Sequence, residues 1–415
     1  MTVTIQDISP SYARYCLLQK PNGTYIIRRL ADNDSIIASI NYNAESEGDA
    51  SNHLCVVLSI RVDETVYDVH IKSYRLPCSE QNTQEDVEQF LENYRKRLYK
   101  PNSNQFPPLR KEFVPPPDDG TWYLNNKQLA DIDYSRLPKS GQNNAGITRA
   151  ILRCDRQNDI KVFIKRFQKN QIHFKQELTL LKDLCYTPII ACYGQYSDDS
   201  YYHLVFEDAG DSLESRCPLK YESMTKRMKF VTSVGFQLAN AMIYLEKKNI
   251  VHRDLTASNV LITSRGYVRV ADFGHAIKKE EGRNTLERQT EVDEESRFLH
   301  RFLAPECLGC SKGKTSTSNP ASTWAKFTSK SDVWSFGIVI IQMFLDDPSK
   351  PYPEIAITDD VAKYVKIERK THLRPADCPN DLYLFLQGCW SYETKDRLSF
   401  TEVRERMYVL DKIPF

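Results

Sequence analysis

The chain has almost no excess of charge: 56 Lys and Arg stand against 55 Asp and Glu, a net +1 over 415 residues. So even a balance offers no bulk electrostatic grip on nucleic acid or an anionic bilayer. No long apolar run is present either. The longest, Gly337 to Leu345, falls well short of the ~20 residues a spanning helix needs, so no integral membrane segment is expected. The opening Met1-Thr-Val-Thr-Ile5 lacks the basic-then-apolar pattern of a signal peptide, and Thr2 offers no second-position glycine for myristoylation. The eleven cysteines are scattered from Cys16 to Cys389, which points to reduced thiols and a cytoplasmic setting rather than a disulfide framework or zinc site. There is no internal repeat. What remains is a soluble composition, 41% hydrophobic and 27% charged, on a chain long enough for two or three domains.

A dense run of prolines divides it. Pro101 to Pro117 contains Phe106-Pro-Pro108 and Val114-Pro-Pro-Pro117, and such density favours an extended linker. The expected organisation is therefore a domain over 1–100, a linker over 101–121, and a large domain over 122–415. In the large domain, strand-like runs come first: Ala150-Ile-Leu152, Lys161 to Lys165 and Tyr202 to Phe206. Helical patterns dominate after Tyr221. Residues 308–326, polar and rich in small side chains, read as a surface insertion.

Two loops carry the chemistry: Ile250-Val-His-Arg-Asp-Leu-Thr-Ala-Ser-Asn259 and Ala271-Asp-Phe-Gly274. They resemble the catalytic and metal-binding loops of the eukaryotic protein kinases. That resemblance implies a bilobal α+β fold with a β-rich small lobe and a helical large lobe, preceded here by the smaller α+β domain. It implies ATP and magnesium as cofactors, with Asp254 orienting the attacking hydroxyl and Asn259 and Asp272 holding the metal. Lys165 in Val162-Phe-Ile-Lys165 is similar to the phosphate-binding lysine, and Glu177 to the glutamate that pairs with it. Gly141 and Gly146 bracket a turn similar to the glycine-rich loop, with Asn143 where a second glycine is expected. Glu207 and Ala209, past a bulky Phe206, fall at the hinge and, with Leu261, are expected to line the nucleotide site. His252 is expected to pack on Phe273, Arg253 to anchor the activation segment, and Arg397 to pair with Glu306 of Ala304-Pro-Glu306. The Phe327 to Gly337 string and Gly388-Cys-Trp390 point to the tyrosine-specific branch, as does Thr256 where serine/threonine kinases carry lysine.

The chain departs from that family at definite points. Leu255 to Ser258 contain no arginine, and Phe302 stands where a tryptophan precedes Ala304-Pro-Glu306. The segment from His275 to Leu303 has no tyrosine, which excludes tyrosine autophosphorylation there. Thr285, Thr290 or Ser296 could be modified instead, or the acidic run Glu291 to Glu295 could supply the negative charge. Phe163 shares a strand face with Lys165, because side chains alternate. The family has alanine there, so a phenyl ring is expected either to compete with the purine or to turn into the sheet core.

The first domain resembles an SH2 domain. Gly23-Thr-Tyr-Ile-Ile-Arg28 is similar to the strand bearing the phosphotyrosine-binding arginine, and a guanidinium fork suits a dianionic phosphate. Ser11 to Leu18 and Asp86 to Tyr94 are read as its helices, the second with Val87, Phe90, Leu91 and Tyr94 on one face. Leu30, Pro10, Asp68 and a long Ala31 to His53 segment depart from the family pattern. The domain order resembles non-receptor tyrosine kinases of the Fes or Janus type, acting on protein substrates and recruited to phosphotyrosine peptides. The alternative is a pseudokinase or scaffold that signals by binding.

Overall fold

The computed structural model describes the strands of the first hundred residues as backbone, and residues 122–413 except 125–126, 128, 133–145, 154–159, 170–171, 185, 187, 280–285, 289–298 and 309–324. The linker, Gly141, Asn143, the two helical stretches of the first domain and most of the insertion lie outside these residues. The chain divides into two compact units, the first 1–174 with 181–185 and 191–208, the second 175–180 with 186–190 and 209–415.

In the first unit, β1 (Ile5–Gln6), β2 (Tyr25–Arg29), β3 (His53–Val62) and β4 (Thr65–Arg75) form one sheet in that order. β1 runs parallel to β2; the other pairs are antiparallel, with Arg28 opposite Val57.

A second sheet is built from β5 (Leu129–Ala130), β6 (Gly146–Leu152), β7 (Ile160–Gln168), β8 (Cys192–Ser197) and β9 (Tyr201–Glu207), in the order β5-β6-β7-β9-β8. Its period-2 pattern separates two faces. Ala150, Leu152, Ile160, Val162, Ile164 and Val205 enter one buried apolar cluster with Leu124, Tyr193 and Tyr196. Ile147, Arg149, Phe163, Lys165, Leu204 and Phe206 stand on the other. Gly194, at φ 142°, lies where a β-carbon would come within 2.7 Å of the Trp122 carbonyl. The strand-like runs expected at 150–152, 161–165 and 202–206 all fall inside strands.

Helix α1 (Ile172–Asp183) has residues in both units. Its Phe174 ring stacks on Tyr202 and meets Phe167 edge-on.

The second unit begins with β10 (Asp211–Ser212) and the short α2 (Leu213–Arg216). Helix α3 (Met224–Lys247) starts at Ser223, whose hydroxyl accepts the Lys226 N–H, as an N-cap should. Met228, Val231, Val234, Leu238, Met242 and Leu245 recur at helical spacing and are buried. Helix α4 (Ser329–Gln342) is buried from Ser331 to its end and opens with the Thr328 N–H donating to the Ser331 hydroxyl at 3.1 Å. Around it lie α5 (Thr358–Lys366), α6 (Asn380–Cys389) and α7 (Phe400–Leu410). Gly337, in the middle of α4, is the price of one close approach: a β-carbon there would sit 2.4 Å from Nε1 of the Trp390 indole. The two strings that pointed to the tyrosine-specific branch thus touch each other.

Candidate active site

The two chemistry-bearing loops are tied together at both ends. β11 (Ile250–Val251) leads into the first loop, which passes through a 3-10 turn at Ala257–Asn259 into β12 (Val260–Ile262). β13 (Val268–Val270) leads into the second, which ends in β14 (Ile277–Lys278). β11 pairs with β14, and β12 with β13. The Ala271 N–H adds a cross-bond to the Asn259 carbonyl at 2.9 Å. This double pairing brings Asp254, Asn259 and Asp272 into one region of the second unit.

Within it the side chains constrain one another. Asn259 Nδ2 donates to the Asp254 carbonyl at 2.8 Å and to its Oδ2 at 3.0 Å. Asp272 and Arg253 both hold positive φ, 60° and 66°, a region that bulky residues enter only when the surroundings over-determine them. Asp272 Oδ1 accepts the Gly274 N–H at 3.1 Å. The Arg253 conformation is fixed by Asp332 of α4, whose carboxylate accepts the His252 N–H at 2.8 Å and the Arg253 N–H at 3.0 Å. Burial pushes the Asp332 carboxyl up to about 7, outweighing those two bonds. His252 is fully buried, its ring edge-on to Phe273 at 5.1 Å, as expected. Its Nδ1 accepts the Asp254 N–H at 3.3 Å, so Nε2 carries the proton and donates to the Ala271 carbonyl at 3.1 Å. Burial holds this imidazole neutral, with its pKa down to about 4.

Arg253 meets the following segment in a way the sequence did not foresee. Its Nε donates to the His275 carbonyl at 2.5 Å, and its guanidinium lies over the Phe327 ring, 5.1 Å from the centroid. Phe327 ends β16 (Ala325–Phe327), which pairs with β15 (Leu286–Arg288) of the segment, Leu286 opposite Phe327. The Lys326 N–H bonds to the Glu306 carbonyl at 3.1 Å. Glu306 and Arg397 form the expected bidentate pair at 2.7 and 3.1 Å, with the arginine side chain fully buried. Cys307 begins a Cys-x-x-Cys spacing with Cys310. Its thiol points at the Lys326 carbonyl and burial pushes it well up, the state of an inert thiol.

Arg301, Arg149 and Asp332 were not singled out by sequence. Arg301 is 4% exposed and donates to the carbonyls of Pro351, Tyr352, Ile355 and Ala356, stitching the end of the segment to the loop before α5. An arginine beside a kinase-like Ala-Pro-Glu signals nothing about carbonyls fifty residues away. Asp332 had a fainter signal, as an acid entering the apolar run of α4.

In the first unit, Lys165 is buried on β7, opposite Leu204. Gly146 opens β6. Phe163 is half-buried, stands opposite Phe206 on β9 and Arg149 on β6, and carries the Arg149 guanidinium 5.3 Å over its ring. It therefore does not turn into the sheet core. Glu207 is held twice: its N–H donates to the Ala191 carbonyl at 3.0 Å and its carboxylate accepts the Ala191 N–H at 2.8 Å. Glu177, on the part of α1 that belongs to the second unit, is buried. In the second unit Ala209 is fully buried, and Leu261 is half-buried on β12 between Ser212 and Arg269.

Among the described residues no three His, Cys, Asp or Glu side chains cluster as a closed metal cage. Asn259 and Asp272 are hard oxygen donors. Because Nδ2 of Asn259 is committed to Asp254, its amide oxygen is turned away from that residue. A small donor set of this kind fits a divalent cation that takes its remaining ligands from phosphate and water.

A protein-family model described as protein tyrosine and serine/threonine kinase matches residues 140–407. Tyrosine-protein kinase ZAP-70 of Mus musculus is 33% identical over 179 residues, 43% of this chain and 25% of its own length. Tyrosine-protein kinase Fer of Mus musculus is 26% identical over 304 residues, 72% of this chain and 33% of its own. Tyrosine-protein kinase SYK of Gallus gallus is 33% identical over 186 residues, 44% of this chain and 27% of its own. The chain thus spans a quarter to a third of these relatives. It belongs to the protein kinase family, and these three relatives are tyrosine-protein kinases. No helix among the described residues is long and apolar enough to cross a membrane.

Proposed function

We propose that this kinase-family chain is an ATP-dependent protein tyrosine kinase of the non-receptor type, acting in the cytoplasm on protein hydroxyls. The observation that carries the reading is the catalytic loop itself. Asp254 is clamped by the Asn259 amide, and the backbone before it is pinned by the buried carboxylate of Asp332. Phosphoryl transfer needs positioning and charge stabilisation more than covalent chemistry, and this loop offers a carboxylate in a fixed place. Asp254 accepts the proton of the substrate hydroxyl, while Arg253 sets the loop against the segment that presents the substrate. Lys165 neutralises nucleotide phosphates, Glu207 and Ala209 offer backbone groups to the base, and Gly141 and Gly146 allow close backbone approach; Glu177 and Leu261 are the further residues that the kinase resemblance assigns to the nucleotide. Asn259 and Asp272 hold magnesium, which supplies charge neutralisation on the phosphates when bound.

Recruitment through the first domain rests on Arg28. Its position on β2, in a sheet whose first pair is parallel and whose remaining pairs are antiparallel, supports an SH2-like reading with phosphotyrosine peptides as partners. A second reading, a pseudokinase that signals by binding, draws support from the half-buried placement of Phe163 on the Lys165 face.

The test is phosphate transfer from Mg-ATP to an acidic tyrosine copolymer, with Asp254→Asn beside the wild type. Loss of a general base removes roughly 10²–10⁴ in rate, so the variant should fall to background. Absence of transfer by the wild type, under conditions where a control kinase is active, would transfer the reading to the scaffold. Phosphoserine or phosphothreonine as the only products would overturn tyrosine specificity.

A further inference from the structure

Three residues in one row cross the sheet face that bears Lys165: Arg149 on β6, Phe163 on β7 and Phe206 on β9, each opposite the next in register. Phe206 is buried, Phe163 half-buried and Arg149 exposed. The Phe163 ring stays outside the apolar cluster on the opposite face, whose members flank it in sequence as Val162 and Ile164. The Arg149 guanidinium covers the ring at 5.3 Å, within the range where a cation and an aromatic face attract. A purine sandwiched against this face needs a flat apolar area beside the lysine, and here an aromatic ring already fills it.

We propose that Arg149 and Phe163 form a self-filling shutter over the nucleotide face of the small sheet, and that their mutual contact sets the affinity for nucleotide. This rests on the reading above that Lys165 marks the nucleotide face. The ring substitutes for the base in the empty protein, and the guanidinium holds it there. Nucleotide enters only as the ring swings aside, so the closed state subtracts from the observed affinity. Arg149 is a positioning residue because it biases the ring without belonging to the phosphate-binding set.

The experiment is calorimetric titration of the full chain with Mg-ADP, for the wild type, Phe163→Ala and Arg149→Met, with thermal midpoints recorded to confirm folding. Phe163→Ala should bind about tenfold or more tightly. Arg149→Met keeps the aliphatic stem and loses the cation; an exposed cation–aromatic contact of about 0.5–1 kcal/mol corresponds to a two- to fivefold gain. A Phe163→Leu variant, which keeps apolar bulk without a stacking face, should fall between Phe163→Ala and the wild type and covers the case of poor folding of the alanine variant. Unchanged or weaker binding by Phe163→Ala and Phe163→Leu overturns the shutter, and unchanged binding by Arg149→Met overturns the lock. Phosphate transfer measured in parallel keeps the two readings apart. Tighter ADP binding without Asp254-dependent transfer upholds the shutter and defeats the kinase reading; Asp254-dependent transfer with no change in affinity does the reverse. Failure of every variant to bind ADP overturns both.

Discussion

The catalytic loop and the small sheet solve different problems, and the contrast lies in what each can tolerate. In the loop, each polar atom of His252, Asp254 and Asn259 that contacts a neighbour does so in a specific direction, and Arg253 sits at positive φ. Identity there is dictated by hydrogen bonding, and few substitutions preserve it. In the sheet, the backbone ladder and the Val162/Ile164 core face hold the strand whatever stands on the other side. A bulky Phe163 in place of a small residue is therefore compatible with the fold, whatever it does to binding. The same kinase resemblance can be close in one region and loose in the other for that reason.

The sharpest way to break the comparison is Asp332→Ala. It strips the acceptor from two buried N–H groups, at about 1–3 kcal/mol each. Urea midpoints should fall accordingly, and residual transfer should drop further than folding alone explains. A midpoint near wild type would mean that the loop does not depend on α4. Next comes His252→Phe, which preserves the packing on Phe273 but takes one hydrogen-bond partner from the Asp254 N–H and one from the Ala271 carbonyl. A cost of about 1–3 kcal/mol with a lower kcat is expected, read from denaturant curves and copolymer kinetics.

The counterpart in the sheet is His203→Phe, with the smallest expected effect. His203 is as deeply buried as His252, and stacks on Tyr196 at 4.1 Å. Neither ring nitrogen completes a hydrogen bond, and the Asp198 carboxylate is 3.6 Å away. Desolvation lowers its pKa from 6.5 to about 4, against weaker upward pulls from Asp198 and the Tyr196 backbone. The unfolded chain then takes a proton below pH 6.5 that the folded chain refuses until about pH 4. Stability is lost as pH falls through that window. At pH 7 the phenylalanine variant should lie within about 1 kcal/mol of wild type. Between pH 7 and pH 5 it should lose less stability than wild type, as urea titrations at the two values would show. An equal loss would mean that His203 is not the group refusing the proton.

Legibility in the sequence followed the same division. The strands at 150–152, 161–165 and 202–206, the His252–Phe273 contact and the Glu306–Arg397 pair could be read because each rests on alternation or on a motif with fixed spacing. The side of β7 on which Phe163 stands followed from the period of two. Its choice between the purine face and the core did not, because that depends on the β6 register that puts Arg149 beside it. Arg301 and Asp332 act on backbone groups distant in sequence, and no local pattern announces such partners. The contact of Gly337 with Trp390 had both halves visible as strings, but only the packing explains why a glycine is needed in a buried helix.

The double strand pairing around the two loops has a consequence for how the molecule is assembled. Residues 250 to 278 form a closed circuit of neighbours, with β11 meeting β14 and β12 meeting β13. Contacts between segments close in sequence form fast, since little loop entropy is lost in making them. Among the long-range additions to this circuit is Asp332, which arrives from eighty residues downstream, and Gln342 of the same helix accepts the Ala257 N–H. The expected order is a hairpin-like scaffold first, with the geometry around Arg253 completed when α4 docks behind it.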